Sequence, residues 1–279
     1  MRSIRILGYA WRVFAKWLSF FIFGLGTLIL VTVVFPPLRL IFHPRGRFQK
    51  KARALVSLCF RFFVWIMTTL GIVRLEAEDR LRYRNLSGKI VVANHPSLLD
   101  VVMLLALIPN GDCIVRGSLG KTIVRGVTRQ LYIPNNANME TLLEDCKRSL
   151  EEGNCIIIFP EGTRTPRHEK GLYKKGAARV SLYSGCPVVP VRIGGNDKYG
   201  LGKGDPWTGV NPDDRYIYQV CMQNELFPGA YSNTPGGIRN FTAAIRQSIL
   251  GFSSVHKNVR KNIVVKNEPP RRKPLPANQ

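Results

Sequence analysis

One uncharged run of apolar residues constrains the fold of this chain more than any other feature of the sequence. It extends from residue 17 to residue 35 and reads WLSFFIFGLGTLILVTVVF. A helix needs about 20 apolar residues to cross the hydrocarbon core of a bilayer. A cleaved secretory signal is the alternative, but its apolar region is usually only about 7 to 15 residues long, and PPLRL stands here in place of a small-residue cleavage site. We therefore interpret the run as a membrane helix.

Basic side chains crowd both ends of this run. The chain has 41 Lys and Arg against 18 Asp and Glu, a net charge of +23, and its first acidic residue is Glu76. Such an excess attracts anionic surfaces, either nucleic acid or acidic phospholipid. A nucleic-acid binder interleaves aromatic and basic residues on a soluble domain, whereas this charge lies beside apolar segments and in the tail. The pattern predicts a phospholipid bilayer as partner, and no nucleic acid.

A second apolar stretch extends from Leu55 to Val73. Arg61 interrupts it and aromatic residues are frequent in it, which is typical of a helix lying in the membrane interface rather than crossing the bilayer. Because basic residues flank both ends of the first helix, the positive-inside rule allows a single span or a shallow hairpin with both ends in the cytoplasm. The larger basic cluster, residues 39–53, favours the cytoplasm for the domain that follows.

Strand and helix patterns alternate through the rest of the chain. Strands are predicted at 89–94, 155–160, 186–193 and 216–222, and helices from Pro96, from Asn138 to Gly153, from Lys175 to Ser184 and from Gly237 to Phe252. The alternation predicts an α/β domain with a mostly parallel sheet flanked by helices. The segment from Gly194 to Asp214, rich in Gly, Pro and Asp, is predicted as a long loop.

These patterns divide the chain into three parts: membrane-anchoring helices at 1–75, an α/β domain at 76–256 and a disordered, basic, Pro-rich tail at 257–279. The six cysteines are scattered without CxxC spacing, as is typical of reduced thiols in a cytosolic domain. His43, His168 and His256 show no ligand spacing with one another or with the cysteines, so no metal site is predicted.

A polar motif, NHPSLLD at 94–100, follows the first predicted strand. Five residues on a regular helix would leave the side chains of His95 and Asp100 about 140° apart. Because His95 precedes the helix, its ring can fold back onto Asp100, which would fix the tautomer and leave the other ring nitrogen free to take a proton from a hydroxyl. This is the His–Asp part of a catalytic triad, with the substrate supplying the nucleophile. The alternative is a histidine that only caps the helix.

A second motif, FPEGTR at 159–164, also follows a predicted strand. The carboxyl ends of parallel strands meet at one edge of a sheet, where α/β proteins build their sites. Arg164 can hold a phosphate through a charge-assisted fork, and Gly162 permits a tight turn. The alternative is an ordinary polar turn in which Glu161 pairs with Arg164. The two motifs together favour a catalytic site.

NHPSLLD, FPEGTR and the later block VVPVRI at 188–193 resemble, in order and spacing, the glycerolipid acyltransferase family of bacterial 1-acylglycerol-3-phosphate acyltransferases, over residues 89–194. The resemblance implies a glycerolipid-acyltransferase-like α/β fold and an O-acyltransferase without a cofactor. It implies His95 as general base and Asp100 as its partner. The acceptor site implied by the resemblance comprises Glu161, Gly162 and Arg164. Thr163, Arg129 and Lys174 are predicted as further substrate-binding residues, with Lys175 as the alternative to Lys174 for the phosphate.

The resemblance also implies the substrates. Acyl-CoA or acyl carrier protein would donate the acyl group, and the free hydroxyl of 1-acylglycerol-3-phosphate or a related lysophospholipid would accept it. The expected location is the bacterial inner membrane, with the catalytic domain facing the cytoplasm. We expect the oxyanion of the tetrahedral intermediate to be stabilised by backbone N–H groups near 96–98 or by a basic residue.

One position departs from the family pattern. The family usually has an Arg after the short apolar strand of its second motif, where this chain reads RQLYIPNN with Asn135. Arg125 or Arg129 would then have to compensate. YIPNN and LGKGDPW, at 201–207, resemble acyltransferases of aryl-polyene pathways, so the alternative substrate is a specialised acyl chain moved from a carrier protein to a lipid anchor. Two other classes remain open at this point: a thioester hydrolase using the same histidine, and a non-catalytic basic binder.

Overall fold

The computed structural model describes residues 2–42, 45–116, 132–135, 138–166, 169, 171–211 and 214–266. Its N-terminal part is a helical hairpin. The first arm consists of α1 (Arg2–Ile29), a π-helical turn (Leu30–Val34) and α2 (Phe35–Ile41), and the second arm is α3 (Arg45–Thr69). The π-helical turn precedes two prolines at 36 and 37, whose missing N–H groups interrupt regular helical hydrogen bonding.

Aromatic contacts show that the two arms are antiparallel. The rings of Phe35 and Phe48 lie 5.8 Å apart near the tip, and those of Phe23 and Phe60 lie 6.1 Å apart along the middle. Trp11 Nε1 donates a hydrogen bond to the carbonyl of Leu70 at the open end, at 3.1 Å. The second arm also differs in length from the predicted stretch Leu55 to Val73, because α3 begins ten residues before Leu55 and ends at Thr69.

Both arms are candidates for membrane insertion. The helical segments Ile6–Ile41 and Gly46–Thr69 are long and apolar enough to cross a membrane, by length and composition. Their outer faces expose large apolar side chains, among them Phe21, Phe62 and Trp65 at 67%, 58% and 60%. Membrane depth and the interfacial position predicted for the second helix remain predictions.

The described strands form one seven-stranded sheet. They are β1 (Val73–Ala77), β2 (Ile90–Ala93), β3 (Gly111–Arg116), β4 (Ile133–Asn135), β5 (Cys155–Ile158), β6 (Val188–Gly195) and β7 (Tyr216–Met222). Their order is β1-β7-β6-β2-β5-β3-β4, and every neighbouring pair is parallel except β6 and β7. The predicted mostly parallel α/β sheet is confirmed.

Helices cover both faces of this sheet. They are α4 (Arg80–Arg84), α5 (Asp100–Leu107), α6 (Met139–Glu151), α7 (Gly176–Ser184) and α8 (Pro235–Lys266). On β2, Val91 and Ala93 share a core cluster with residues of α3 and α5, whereas Ile90 and Val92 share one with residues of α6, α7 and α8. The helical hairpin therefore packs on the α5 face, where α3 is also tied to β3 by a 3.0 Å ion pair between Arg53 and Asp112.

Three predicted boundaries differ from the structure. The sheet begins at Val73, before the expected domain start at 76. The helix expected from Pro96 begins at Asp100, because the carboxylate of Asp100 accepts from the backbone N–H of Ser97 and holds residues 97–100 in a turn. The last helix continues to Lys266 rather than ending at Phe252, since no proline or glycine occurs between Gly251 and Pro269. The expected disordered tail thus begins in helix, and 267–279 lie outside the described residues.

Candidate active site

His95 and Asp100 meet at the end of β2. His95 Nδ1 lies 2.8 Å from Asp100 Oδ2, with the side chain of His95 15% exposed and that of Asp100 fully buried. A carboxylate oxygen can only accept, so Nδ1 carries the hydrogen and Nε2 is left as the basic nitrogen. The prediction that the histidine ring folds back onto Asp100 is confirmed.

Asp100 is held by further donors that the sequence did not reveal. Ser97 donates twice, from its backbone N–H to Oδ2 at 2.7 Å and from its hydroxyl to Oδ1. Since that hydroxyl hydrogen is used, Tyr218 must donate to Ser97 Oγ, 2.7 Å away. Burial raises the pKa of Tyr218 well above its usual value, which keeps this donor protonated. The result is a chain from Tyr218 through Ser97 to Asp100 and His95.

A buried lysine lies behind this chain. Lys198 Nζ lies 4.8 Å from the centre of the Tyr218 ring and donates to the carbonyls of Asn196 and Ile217. Burial lowers the pKa of Lys198 to about 8, and the negative charge of Asp100 opposes that shift. The carboxylate of Asp100 is thus balanced by a buried cation from the loop after β6.

The second motif packs directly against the first. The Phe159 ring stacks on the His95 ring with 4.2 Å between centres, and the backbone N–H of Thr165 donates to the His95 carbonyl at 2.9 Å. Gly162 has a φ of +67°, a conformation that side chains disfavour, and Lys174 Nζ would lie 3.0 Å from a Cβ added there. The two motifs meet at the carboxyl ends of β2 and β5, as predicted.

Glu161 is buried with one of its two carboxylate oxygens lacking a hydrogen-bond partner in the described part of the chain. The residue is 8% exposed, and its Oε2 has no hydrogen-bond partner among the described residues. Burial raises the pKa of Glu161, which backbone hydrogen bonds at Glu161 and His95 oppose. Thr165 Oγ1 and Tyr173 OH also lack partners in the described part of the chain. A Cβ on Gly171 would lie 2.5 Å from Glu161 Cγ and 2.7 Å from Thr165 Oγ1, so glycine makes room for both side chains.

Arg164 forms its observed hydrogen bonds with backbone carbonyls, not with the Glu161 carboxylate. Its Nη1 donates to the carbonyls of Leu201 and Gly202, both at 3.2 Å, so the predicted alternative of a Glu161–Arg164 pair finds no support in these contacts. Thr163 is half-buried and Lys174 is exposed. Arg125 and Arg129 lie outside the described residues, and Asn135 is the last residue of β4.

The backbone N–H groups near 96–98 are already used. Pro96 has none, the N–H of Ser97 donates to Asp100, and that of Leu98 donates to the Leu201 carbonyl at 2.9 Å. The next one, of Leu99, donates to Ser97 Oγ at 3.3 Å. These amides therefore already have acceptors, and stabilisation of the oxyanion by a basic side chain stays a prediction.

Comparison with known proteins agrees with this geometry. Residues 72–194 match the family model described as Acyltransferase. These residues therefore form an acyltransferase-family domain. The resemblance to the glycerolipid acyltransferase family is confirmed, whereas the resemblance to aryl-polyene acyltransferases stays a prediction.

The similar proteins share one description. The chain is 30% identical over 160 residues to the 1-acyl-sn-glycerol-3-phosphate acyltransferase of Helicobacter pylori, covering 54% of this chain and 64% of that protein. It is 27% identical to the chloroplastic enzyme LPAT1 of Arabidopsis thaliana, covering 61% of this chain and 48% of that protein. The chain thus spans less than two thirds of these relatives.

One solved structure shares the whole fold. The crystal structure of the 1-acyl-sn-glycerophosphate acyltransferase PlsC from Thermotoga maritima is 20% identical, with a TM-score of 0.62, and the similarity covers 97% of this chain and 100% of that one. At this identity the likeness establishes the fold. Because the similarity covers 97% of this chain, it extends over the helical hairpin as well as the α/β domain.

Proposed function

We propose that this protein transfers an acyl group from a thioester to the free hydroxyl of 1-acylglycerol-3-phosphate or a related lysophospholipid, forming phosphatidic acid or a similar lipid. The observation that carries the proposal is the bond between His95 and Asp100, which leaves Nε2 of His95 as a base beside a motif with unsatisfied polar atoms. The acyl donor is acyl-CoA or an acyl carrier protein.

The reaction needs no protein nucleophile. His95 Nε2 takes the proton of the acceptor hydroxyl as its oxygen attacks the thioester carbonyl, and Asp100 stabilises the imidazolium that results. The tetrahedral intermediate collapses with formation of the C–O ester bond and cleavage of the C–S bond. The proton on Nε2 then passes to the leaving thiolate, giving a thiol. A basic side chain near the site stabilises the oxyanion.

The second motif supplies the acceptor site. Glu161, Thr165 and Tyr173 have buried polar atoms that lack partners among the described residues, and we expect them to contact the polar part of the acceptor. Arg164 and Lys174 supply positive charge for the phosphate. The stacking of Phe159 on His95 brings the two halves of the site together, so that a hydroxyl bound beside Glu161 lies near the base.

The membrane supplies the acceptor. A lysophospholipid stays in the bilayer, and the apolar helical hairpin holds the catalytic domain at that surface. The basic cluster at 39–53 favours the cytoplasmic side, where acyl-CoA and acyl carrier protein are found. We propose the inner membrane of a bacterium as the location.

The test is acyl transfer by detergent-purified protein, from labelled acyl-CoA or acyl carrier protein, to a panel of lysophospholipids. Wild type should form product, and His95→Ala should lose at least about 10²-fold in rate while keeping its thermal midpoint. Release of free fatty acid without acceptor separates a hydrolase from a transferase. Equal activity of His95→Ala would overturn the mechanism, and inactivity of wild type with every pair would overturn the proposed acceptors in favour of the aryl-polyene alternative.

A further inference from the structure

Lys16 is a buried lysine in the first membrane-candidate helix. The residue is 1% exposed and lies within the apolar segment Ile6–Ile41. Its Nζ donates to three backbone carbonyls, those of Gly200 at 2.8 Å, Trp207 at 2.8 Å and Gly209 at 2.7 Å. An ammonium has three hydrogens, so one loop satisfies this charge completely. Ionisable residues inside membrane segments are costly unless paired, and they commonly mark function.

The loop is shaped to present these carbonyls. We call residues 198–209 the bridging loop. Asp205 Oδ2 accepts from the backbone N–H groups of Gly200 and Gly202, at 2.9 and 3.0 Å. Gly200 has a φ of +85°, and a Cβ there would lie 1.7 Å from the Gly209 carbonyl oxygen. Only glycine therefore lets the chain cross itself so tightly that the carbonyls of both residues reach the same ammonium.

The bridging loop also holds both catalytic motifs. The carbonyl of Leu201, the residue after Gly200, accepts from Arg164 Nη1 at 3.2 Å and from the backbone N–H of Leu98 at 2.9 Å. The carbonyl of Gly202 accepts from the same Arg164 nitrogen. Successive carbonyls thus bind the membrane helix at Gly200 and the second motif at Leu201 and Gly202.

Aromatic side chains fix the loop at the surface of the same helix. Trp207 is 66% exposed, and its ring lies 6.4 Å from that of Trp17 and 6.5 Å from that of Phe20. Tryptophan favours the boundary between lipid and water. These contacts hold the bridging loop against the first helix beside an exposed tryptophan, a residue typical of the lipid–water boundary.

We propose that Lys16 is a positioning residue that holds the bridging loop and thereby aims Arg164 at the phosphate of the acceptor. This inference rests on the proposed function. The first helix is then part of the acceptor site as well as an anchor, because the contact that buries its charge also sets the loop that holds the arginine. Lys16 touches neither substrate.

The test compares Lys16→Met with wild type in acyl transfer from a saturating thioester donor. Methionine keeps the length of the side chain but cannot donate. We expect the KM for a phosphate-bearing lysophospholipid to rise about tenfold, with kcat and the KM for the donor within about threefold of wild type. The control is Ser19→Ala, which changes another buried polar residue of α1, one whose hydroxyl donates to the carbonyl of Ala15 in the same helix at 2.8 Å. Ser19→Ala should leave all constants unchanged.

A double-mutant cycle with Arg164→Ala distinguishes positioning from general damage. If Lys16 acts through Arg164, Lys16→Met should change the acceptor KM by less than about twofold in the Arg164→Ala background. The inference would be overturned if the two substitutions raised the acceptor KM independently, so that their factors multiply in the double variant. It would also be overturned if Lys16→Met lowered kcat equally with every acceptor. If Lys16→Met does not fold, Asp205→Ala loosens the same loop without changing a residue of the membrane helix and must give the same acceptor-selective change. Failure of wild type to transfer at all would instead overturn the proposed function.

Discussion

The two catalytic motifs lie against each other but use their polar atoms differently. In the first motif both carboxylate oxygens of Asp100 accept protein hydrogen bonds, and the backbone N–H groups of 97–99 are occupied. In the second motif Glu161 Oε2 and Thr165 Oγ1 are buried without partners among the described residues. Buried polar atoms normally have partners. The hydrogen bonds of the first motif are therefore complete as folded, whereas the second motif keeps buried polar atoms without partners among the described residues, where the proposed acceptor would bind.

This difference separates two kinds of mutational effect. Changes in the preorganised first motif should lower kcat, because its geometry is needed in the transition state. Changes in the second motif should act on stability and on binding of the proposed acceptor, because buried polar groups without partners cost free energy. The following predictions test this separation.

Asp100→Asn should have the largest effect. The Asp100 carboxylate accepts from His95 and from two Ser97 donors with its two oxygens, whereas an amide has only one accepting oxygen. The histidine therefore loses its fixed tautomer, and kcat should fall by about 10³-fold. Initial rates at saturating donor and acceptor measure this change. The exposed variant Asp214→Asn is the control and should match wild type. A loss confined to the KM of Asp100→Asn would contradict the preorganised first motif.

Ser97→Ala should lower kcat by about tenfold, the equivalent of losing one hydrogen bond to a charged group. Tyr218→Phe, which removes only the donor to Ser97, should cost less. The order Asp100→Asn, Ser97→Ala, Tyr218→Phe therefore follows the hydrogen-bond chain outward from His95. Steady-state kinetics on all three variants measure it, and a Tyr218→Phe loss larger than that of Ser97→Ala would contradict the chain.

Glu161→Gln should raise the acceptor KM by about fivefold to tenfold and leave kcat within about threefold of wild type. The amide keeps the shape of the side chain but replaces one accepting oxygen with a donor. Glu169→Gln, an exposed carboxyl in the same loop, is the matched control and should behave as wild type. A pure kcat effect of Glu161→Gln would show that the second motif acts in catalysis rather than in acceptor binding.

The local sequence predicted much of the geometry of the two motifs. The return of His95 onto Asp100 depends on residues five apart, and the strands before both motifs are marked by their apolar runs. Tyr218 bonds Ser97 from 121 positions away, and Lys16 bonds Gly200 from 184 positions away. Periodicity and motif spacing carry no information on such pairs, because these contacts are set by strand order and by the packing of the hairpin.

Two of the strands missed in the sequence have a similar explanation. β4 is three residues long and contains a proline, and β3 begins with Gly-Asp, both weak strand signals on their own. They form through pairing with neighbours, β3 with β5 and β4 with β3. The long loop after β6 was recognised from its Gly, Pro and Asp content, but its role in bridging the membrane helix and Arg164 follows only from tertiary contacts.

The smallest expected effect concerns the stability of the empty site. Because burial raises the pKa of Glu161 above its usual 4.5, the folded protein holds this proton more tightly than the unfolded chain does. The stabilisation is fully present below pH 4.5 and is lost as pH rises through the raised pKa. Glu161→Gln carries no such proton, so the thermal midpoint of wild type should fall relative to that of the variant as pH rises from about 4.5 toward 7.

Thermal unfolding of both proteins in detergent across that range measures the difference, and about 1 kcal/mol corresponds to about 2 to 4 °C for a domain of this size. Saturating lysophospholipid should narrow the gap between wild type and variant at neutral pH, since wild type is expected to bind the acceptor more tightly than Glu161→Gln does. A gap that does not change with pH would mean that Glu161 is compensated within the protein, and the contrast between the two motifs would then disappear.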